Sequence, residues 1–112
     1  MPAFGRRRNK RVSLDTPIQI SWQDQRGKPH CCQAIAVDIS DIGIRVELPE
    51  PPSKAATVQL RSAPLNLACS GQVRTCARSG NRFIVGIEFE GQARFDRVSA
   101  GIEPPARRKE IA

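Results

Sequence analysis

The chain has 112 residues and a formal net charge of +7, from 18 Lys and Arg against 11 Asp and Glu. This length fits one small domain, and the low aromatic content of 4% argues against a surface that stacks many bases of a single strand. Because residues 1–12 and 104–112 carry the excess of basic residues, residues 13–103 are net neutral.

Alternating apolar and polar residues predict six short strands. In the first, for example, Ile18, Ile20 and Trp22 alternate with polar residues, and we expect Trp22 to be in the core. Turn-forming residues separate the strands, and Gly71 predicts a bulge or bend within the fifth. The predicted strands are residues 18–22, 30–37, 44–48, 58–60, 65–77 and 83–89.

The gaps between these strands are too short for crossover helices, so the sheet should be antiparallel. Closure into a small barrel removes the exposed edges. Near the C-terminus, Phe95, Val98 and Ile102 have the spacing of one helical face. We therefore expect an all-β, six-stranded antiparallel barrel over residues 13–103 with a short C-terminal helix. The flanking arm (1–12) and tail (104–112) should be flexible, because they carry too little apolar surface to order themselves.

The basic arm contains the segment Arg6-Arg7-Arg8-Asn9-Lys10-Arg11. Four of its five basic residues are arginine, whose planar fork of donors matches a phosphate or a guanine edge bidentately and stacks on bases. Lysine would serve a purely solubilising tail equally well. On composition alone, anion binding and a solvated basic tail both remain open.

A second polar segment, Asp38-Ile-Ser-Asp-Ile-Gly43, separates two predicted strands. In an extended segment Asp38 and Ser40 point to the same side. A carboxylate beside a hydroxyl can accept hydrogen bonds from guanine N–H groups. Gly43 would supply either a positive φ or room for a close approach. Taken alone, the segment is also compatible with an ordinary turn.

Together, the two segments resemble the PilZ family, whose signature is an RxxxR motif followed by D/NxSxxG. Residues 7–11 match the first motif, and residues 38–43 match the second at every defined position. The resemblance covers residues 6–102 and includes Val85-Gly86-Ile87-Glu88-Phe89 late in the barrel. It implies a small stand-alone PilZ protein with a split barrel that binds the bacterial second messenger cyclic di-GMP.

In this family the arm folds over the nucleotide, so the resemblance implies that the arginines clamp phosphates and guanine edges. Asp38 and Ser40 would read the base, and Gly43 would hold the turn. An arginine at position 6 is typical of members that bind an intercalated ligand dimer. The resulting site residues are Arg7, Arg8, Arg11, Asp38, Ser40 and Gly43, with Arg6 and Gly86 as further candidates. Ordering of the arm would signal to an unidentified downstream protein in motility, biofilm or virulence control.

Other site types find little support in the sequence. The single histidine, His30, has no evident nucleophile partner, so we do not expect an enzyme or a cofactor. No CxxC pair exists among Cys31, Cys32, Cys69 and Cys76, and we expect buried free thiols and no metal site. Two alternatives remain open: a small basic barrel that binds RNA or DNA, and a PilZ-like adapter that binds proteins without nucleotide.

No apolar run approaches the ~18 residues of a membrane-spanning helix. No apolar segment follows the basic N-terminus, as it would in a signal peptide. We therefore expect a cytoplasmic protein without membrane insertion, in which thiols stay reduced.

Overall fold

The structure is a computed structural model that describes residues 11–91. This part of the chain contains six strands and no helix. The predicted C-terminal helix, the tail (104–112) and residues 1–10 of the arm lie outside it. The strands are β1 (Val12–Gln23), β2 (Pro29–Ile39), β3 (Gly43–Leu48), β4 (Thr57–Ser62), β5 (Leu67–Ser79) and β6 (Arg82–Phe89).

The strands form a closed barrel in the order β1-β2-β3-β6-β5-β4, and every neighbouring pair is antiparallel. β1 closes the barrel by pairing its residues 19–22 with residues 58–61 of β4. The predicted fold class, an all-β six-stranded antiparallel barrel, is therefore confirmed. Closure pairs most of the strand edges that would otherwise be exposed.

The barrel interior is filled by the inward-pointing residues of all six strands. In β3, for instance, Ile44, Val46 and Leu48 are fully buried, whereas Arg45 between them is exposed. This alternation is the pattern from which the strand was predicted. Trp22 packs against the core but is only partly buried, and its ring stacks on His30 with centroids 5.3 Å apart.

Two details of the prediction are wrong. Gly71 pairs regularly with Val58 and Phe89, and it lacks a side chain because the methyl group of Ile87 fills that space. The irregularity in β5 lies instead between Val73 and Thr75. Residues 74–79 are all exposed, so Ala77, which shares the parity of the inward residues in the sequence, does not join the core.

The four cysteines are free. Cys31 and Cys76 are exposed, so the expectation of buried thiols is wrong for these two, and Cys32 and Cys69 are partly buried. Desolvation by burial raises the pKa of the Cys69 thiol to about 11. Burial also raises the pKa of Cys32, so these two thiols are poor nucleophiles at neutral pH.

Candidate functional site

A row of four residues crosses the outer wall of the barrel beside the predicted D/NxSxxG segment. Asp38 on β2 pairs with Arg45 on β3, Arg45 pairs with Gly86 on β6, and Gly86 pairs with Thr75 on β5. Directly paired residues of neighbouring strands present their side chains on the same face. The row therefore places a carboxylate, a guanidinium, a bare backbone and a hydroxyl side by side.

A bulge in β2 turns Asp38 toward this face. Ala36 pairs with Val46, yet Asp38, two residues later, pairs with Arg45, the immediate neighbour of Val46. In an unbroken strand Asp38 would share the inward face of Ala36, which is fully buried in the core. The extra residue, Val37, moves the carboxylate to the outside of the barrel.

A second bulge acts in the same way at the other end of the row. Val73 pairs with Ile87 inside the barrel, but Thr75 pairs with Gly86 on the outside. The inserted residue is Arg74, whose Nε donates a 2.6 Å hydrogen bond to Glu88 Oε1. Of the four strands that the row crosses, the two outer ones, β2 and β5, thus each carry a bulge, a feature that is common next to functional sites.

The carboxylate of Asp38 holds two arginines at once. Arg11 Nη1 donates to Oδ1 at 2.7 Å, and Arg45 donates to Oδ2 from Nε at 2.8 Å and from Nη2 at 2.6 Å. The Asp38 side chain is 12% exposed, whereas those of Arg11 and Arg45 are 39% and 47% exposed. The hydrogen bond and charge of Asp38 raise the pKa of Arg45. Asp38 is therefore enclosed by the arginines and fixes both of them at the wall.

Ser40 is fully buried in the turn after β2. Its hydroxyl accepts a hydrogen bond from the Ile42 N–H at 3.3 Å, and its own N–H donates to the Gly43 carbonyl at 2.9 Å. The Ile42 carbonyl in turn accepts from the Phe89 N–H at 2.9 Å, which ties the turn to the end of β6. Ser40 thus shapes the turn from within.

Gly43 lies where two backbones approach closely. A Cβ at this position would be 2.5 Å from the Ile87 carbonyl oxygen, well inside van der Waals contact. The φ angle of Gly43 is not in the positive range, unlike those of Gly27, Gly80 and Gly91. Of the two reasons considered for this glycine, close approach is therefore the one that applies.

A cavity of about 440 Å³ opens over this row. A Cβ on Gly86 would overlap Thr75 Oγ1, so the bare backbone of Gly86 makes part of the cavity floor. Asp38, which is covered by its two arginines, and Ser40, which is buried in the turn, do not line it. The cavity is lined by Arg11, Ile42, Gly43, Arg45, Arg74, Thr75, Gly86, Ile87 and Glu88.

The lining combines positive charge with an apolar patch. Three arginines (Arg11, Arg45 and Arg74) and one carboxylate (Glu88) line the cavity, and the charge stays net positive when Asp38, the partner of Arg11 and Arg45, is included. Ile42 is 47% exposed at the rim, an unusual exposure for a large apolar side chain in this barrel. Such a cavity can accept an anion that also carries an apolar face.

The structure brings together five of the predicted site residues: Arg11, Asp38, Ser40, Gly43 and Gly86. Arg6, Arg7 and Arg8 lie outside the described residues. The cavity also includes residues that the sequence analysis missed, namely Ile42, Arg45, Arg74 and Thr75. Ile42 occupies an undefined position of the D/NxSxxG segment, and the other three lie in neither motif, so only the folded barrel shows that they share one surface.

The opposite end of the barrel holds a different cluster. Asp24 Oδ1 accepts the N–H groups of Arg26 and Lys28, and Oδ2 lies 3.0 Å from His30 Nε2. The hydrogen bond from His30, with those from the backbone, lowers the pKa of Asp24. Within residues 11–91, no three His, Cys, Asp or Glu side chains are grouped to hold a metal ion. The same residues include no helix long and apolar enough to cross a membrane.

Comparison with known proteins agrees with this architecture. The family model described as "PilZ domain" matches residues 5–97. No curated protein matches the sequence. The barrel is similar to a solved structure, "Structure of K. pneumonia MrkH in its apo state", with a TM-score of 0.52 and 15% identity over 72% of this chain. The match spans 40% of that protein, and at this identity it shows a shared fold. Because the family model covers most of the sequence, the chain belongs to the PilZ domain family.

Proposed function

We propose that this PilZ domain is a receptor for cyclic di-GMP and has no catalytic role. The observation that supports this most directly is the cavity of about 440 Å³ beside the D/NxSxxG segment, with Arg11, Arg45 and Arg74 at its edge. Its volume falls within the ~300–1,000 Å³ typical of small-molecule sites. Cyclic di-GMP carries two phosphate charges and two guanine bases, which suit a net positive cavity with an exposed apolar residue.

The proposal assigns the phosphates and guanine edges to the arginines of the arm and the wall. Arg11 is already fixed by Asp38, and Arg7 and Arg8 precede it on the same arm. Asp38 keeps lone pairs for a guanine N–H, because each carboxylate oxygen can accept more than one hydrogen bond. Ser40 and Gly43 contribute the shape of the turn that borders the cavity.

An enzymatic role lacks the necessary arrangement in the described residues. The Ser40 hydroxyl is fully buried and engaged in the turn. His30 stacks on Trp22 and bonds to Asp24 at the other end of the barrel. A hydroxyl nucleophile without a base within hydrogen-bond reach is not activated. We accordingly propose no catalytic step, and the only small molecule in the proposal is the bound nucleotide.

Signalling would follow from the position of Arg11, where the arm meets the barrel. A ligand that binds both the wall and the arm favours the arrangement in which they are close together. We propose that this ordering changes the surface offered to a downstream protein. Amide hydrogen exchange of residues 5–12 should slow when cyclic di-GMP is added, and unchanged exchange in a protein that binds the nucleotide would refute this signalling step.

Calorimetric titration with cyclic di-GMP tests the receptor function, with GTP and cyclic di-AMP as competing nucleotides. Loss of one charge-assisted arginine contact costs ~1.5–3 kcal/mol, so Arg7→Ala and Arg11→Ala should each weaken binding by at least about tenfold. The matched control is Arg61→Ala, an exposed arginine of β4 that does not line the cavity, and its affinity should match the wild type.

Titrations with RNA and DNA at several salt concentrations, made beside those with the nucleotides, separate the alternatives. Tight binding of RNA or DNA with a steep dependence on salt concentration would indicate a nucleic-acid-binding barrel. If no nucleotide binds, the remaining alternative is a PilZ-like adapter that binds proteins. Binding of cyclic di-GMP that both arginine substitutions leave unchanged would reject the assignment of the arm.

A further inference from the structure

Arg45 belongs to neither sequence motif, yet it stands at the centre of the row on the barrel wall. We propose that Arg45 is a further ligand-binding residue that holds a phosphate of the nucleotide, and that Asp38 acts mainly by positioning Arg11 and Arg45. This inference rests on the proposed receptor function. It changes the role of Asp38 from a reader of guanine to a clasp that holds two cationic groups.

The hydrogen bonds of Arg45 leave part of its guanidinium available. Nε and one hydrogen of Nη2 face Asp38 Oδ2, at 2.8 and 2.6 Å. The remaining donors, on Nη1 and Nη2, have no protein partner within residues 11–91. A guanidinium presents its donors in one plane, so a group fixed along one edge by a carboxylate still has another edge for a phosphate.

The position of the side chain directs that free edge to the cavity. Arg45 lines the cavity and is 47% exposed, whereas Asp38 is 12% exposed and does not line it. The Cγ of Arg45 lies 3.9 Å from the place that a Cβ on Gly86 would occupy. The stem of Arg45 therefore runs beside the glycine floor, and the absence of a side chain at Gly86 keeps the way to the guanidinium open.

The hydrogen bonds to Asp38 also explain why Arg45 would bind a phosphate effectively. A free arginine side chain loses considerable rotamer freedom when it binds a ligand. Asp38 already restricts Arg45 in the ligand-free protein, so less freedom is lost on binding. Because Asp38 neutralises one of the two cations that it holds, Arg11 and Arg45 together retain a net positive charge for the phosphate.

Two other roles for Arg45 give different results. If Arg45 served only as a counter-ion of Asp38, its removal would affect folding stability and not nucleotide affinity. If it competed with the nucleotide for Asp38, its removal would strengthen binding. Binding affinity and thermal stability, measured on the same variants, therefore separate the three roles.

The experiment is calorimetric titration of cyclic di-GMP into wild type, Arg45→Ala, Arg45→Lys and the control Arg61→Ala. Arg45→Ala should weaken binding by at least about tenfold, as expected for one charge-assisted contact. Arg45→Lys keeps the charge without the planar fork, so its loss should be smaller, about three- to tenfold. Arg61→Ala should bind within about twofold of wild type. Melting temperatures show that each variant is folded, and Arg45→Lys decides the question if Arg45→Ala does not fold.

Asp38→Ala, made in the wild type and in Arg45→Ala, tests the clasp. If Asp38 acts through the arginines, its substitution should weaken binding clearly less in the Arg45→Ala background than in the wild type. Equal effects in both backgrounds would overturn the positioning role. Unchanged or tighter binding by Arg45→Ala, with wild type binding normally, would overturn the inference and leave the receptor function standing. A wild type that does not bind would overturn both.

Discussion

Substitution of Gly43 by alanine tests whether close backbone approach is the reason for a glycine at this site. The added Cβ would lie 2.5 Å from the Ile87 carbonyl oxygen, where ordinary contact begins at 3.4 Å. β3 and β6 would have to separate by several tenths of an ångström, and overpacking of this kind costs about 1–3 kcal/mol. The cavity wall would move with them, because Gly43 and Ile87 both line it.

The expected change in folding stability has the opposite sign to that of a Gly→Ala substitution at a site with room for the Cβ. Where the alanine fits, Gly→Ala stabilises a protein by about 0.4–1 kcal/mol through the unfolded chain. For a domain of this size, a loss of 1–3 kcal/mol lowers the melting temperature by about 5–20 °C. Thermal unfolding followed by circular dichroism measures this change, and cyclic di-GMP affinity should fall with it.

Gly27→Ala is the matched control. Gly27 lies in the exposed β1–β2 turn, where a Cβ meets nothing within 4 Å, but its φ is +81°. Alanine there should cost about 1 kcal/mol from the left-handed conformation and leave nucleotide binding unchanged. If Gly43→Ala melts at or above the wild-type temperature, the close-approach explanation is refuted.

Three further predictions concern other surfaces. Ile42→Glu should weaken cyclic di-GMP binding and leave the melting temperature nearly unchanged, because Ile42 is 47% exposed; a strong loss of stability would contradict this. Iodoacetamide at pH 8, followed by mass spectrometry, should label exposed Cys76 well before Cys69, whose pKa is raised to about 11, and equal labelling would refute the burial of Cys69. The hydrogen bond from His30 lowers the pKa of Asp24 below 3.8, so its stabilisation is complete above that pH and is lost as the pH falls through the lowered value. Asp24→Ala should accordingly melt below the wild type at pH 6, with a smaller difference near pH 2.5.

The barrel follows closely from the sequence because strand alternation is a local signal. The fully buried Ile44, Val46 and Leu48 are separated by polar residues, and this period is visible without any tertiary information. Segment 38–43 was predicted to separate two strands, but only residues 40–42 lie between β2 and β3, because Asp38 and Ile39 end β2 and Gly43 begins β3. A carboxylate late in a strand looks like the start of a turn in the sequence, because Asp is common in both settings.

The bulges could not be predicted in the same way. Val37 is an ordinary strand residue, and its insertion is visible only in the register with β3. Arg74 likewise gives no sign of a bulge in the sequence. Gly71 has the residue type that is typical of a bulge, yet it pairs regularly. A bulge is a property of two strands together. The sequence of one strand is therefore insufficient to locate it.

Arg45 was missed for a related reason. An arginine between two buried residues of β3 has the pattern of any solvent-exposed strand position. Its contacts with Asp38 and the floor at Gly86 depend on pairing across three strands. Motif residues can be identified along the chain, but the surface that completes a site is assembled by the register.

The most direct test of the account is an amide-resolved NMR titration of the protein with cyclic di-GMP. We predict that the largest shifts occur at Ile42, Gly43, Thr75 and Gly86, which line the cavity on three different strands and the adjoining turn. Amides at the opposite end, such as Gly27, should be unaffected. Absence of any shift, or shifts concentrated at the β1–β2 hairpin, would contradict the proposed site.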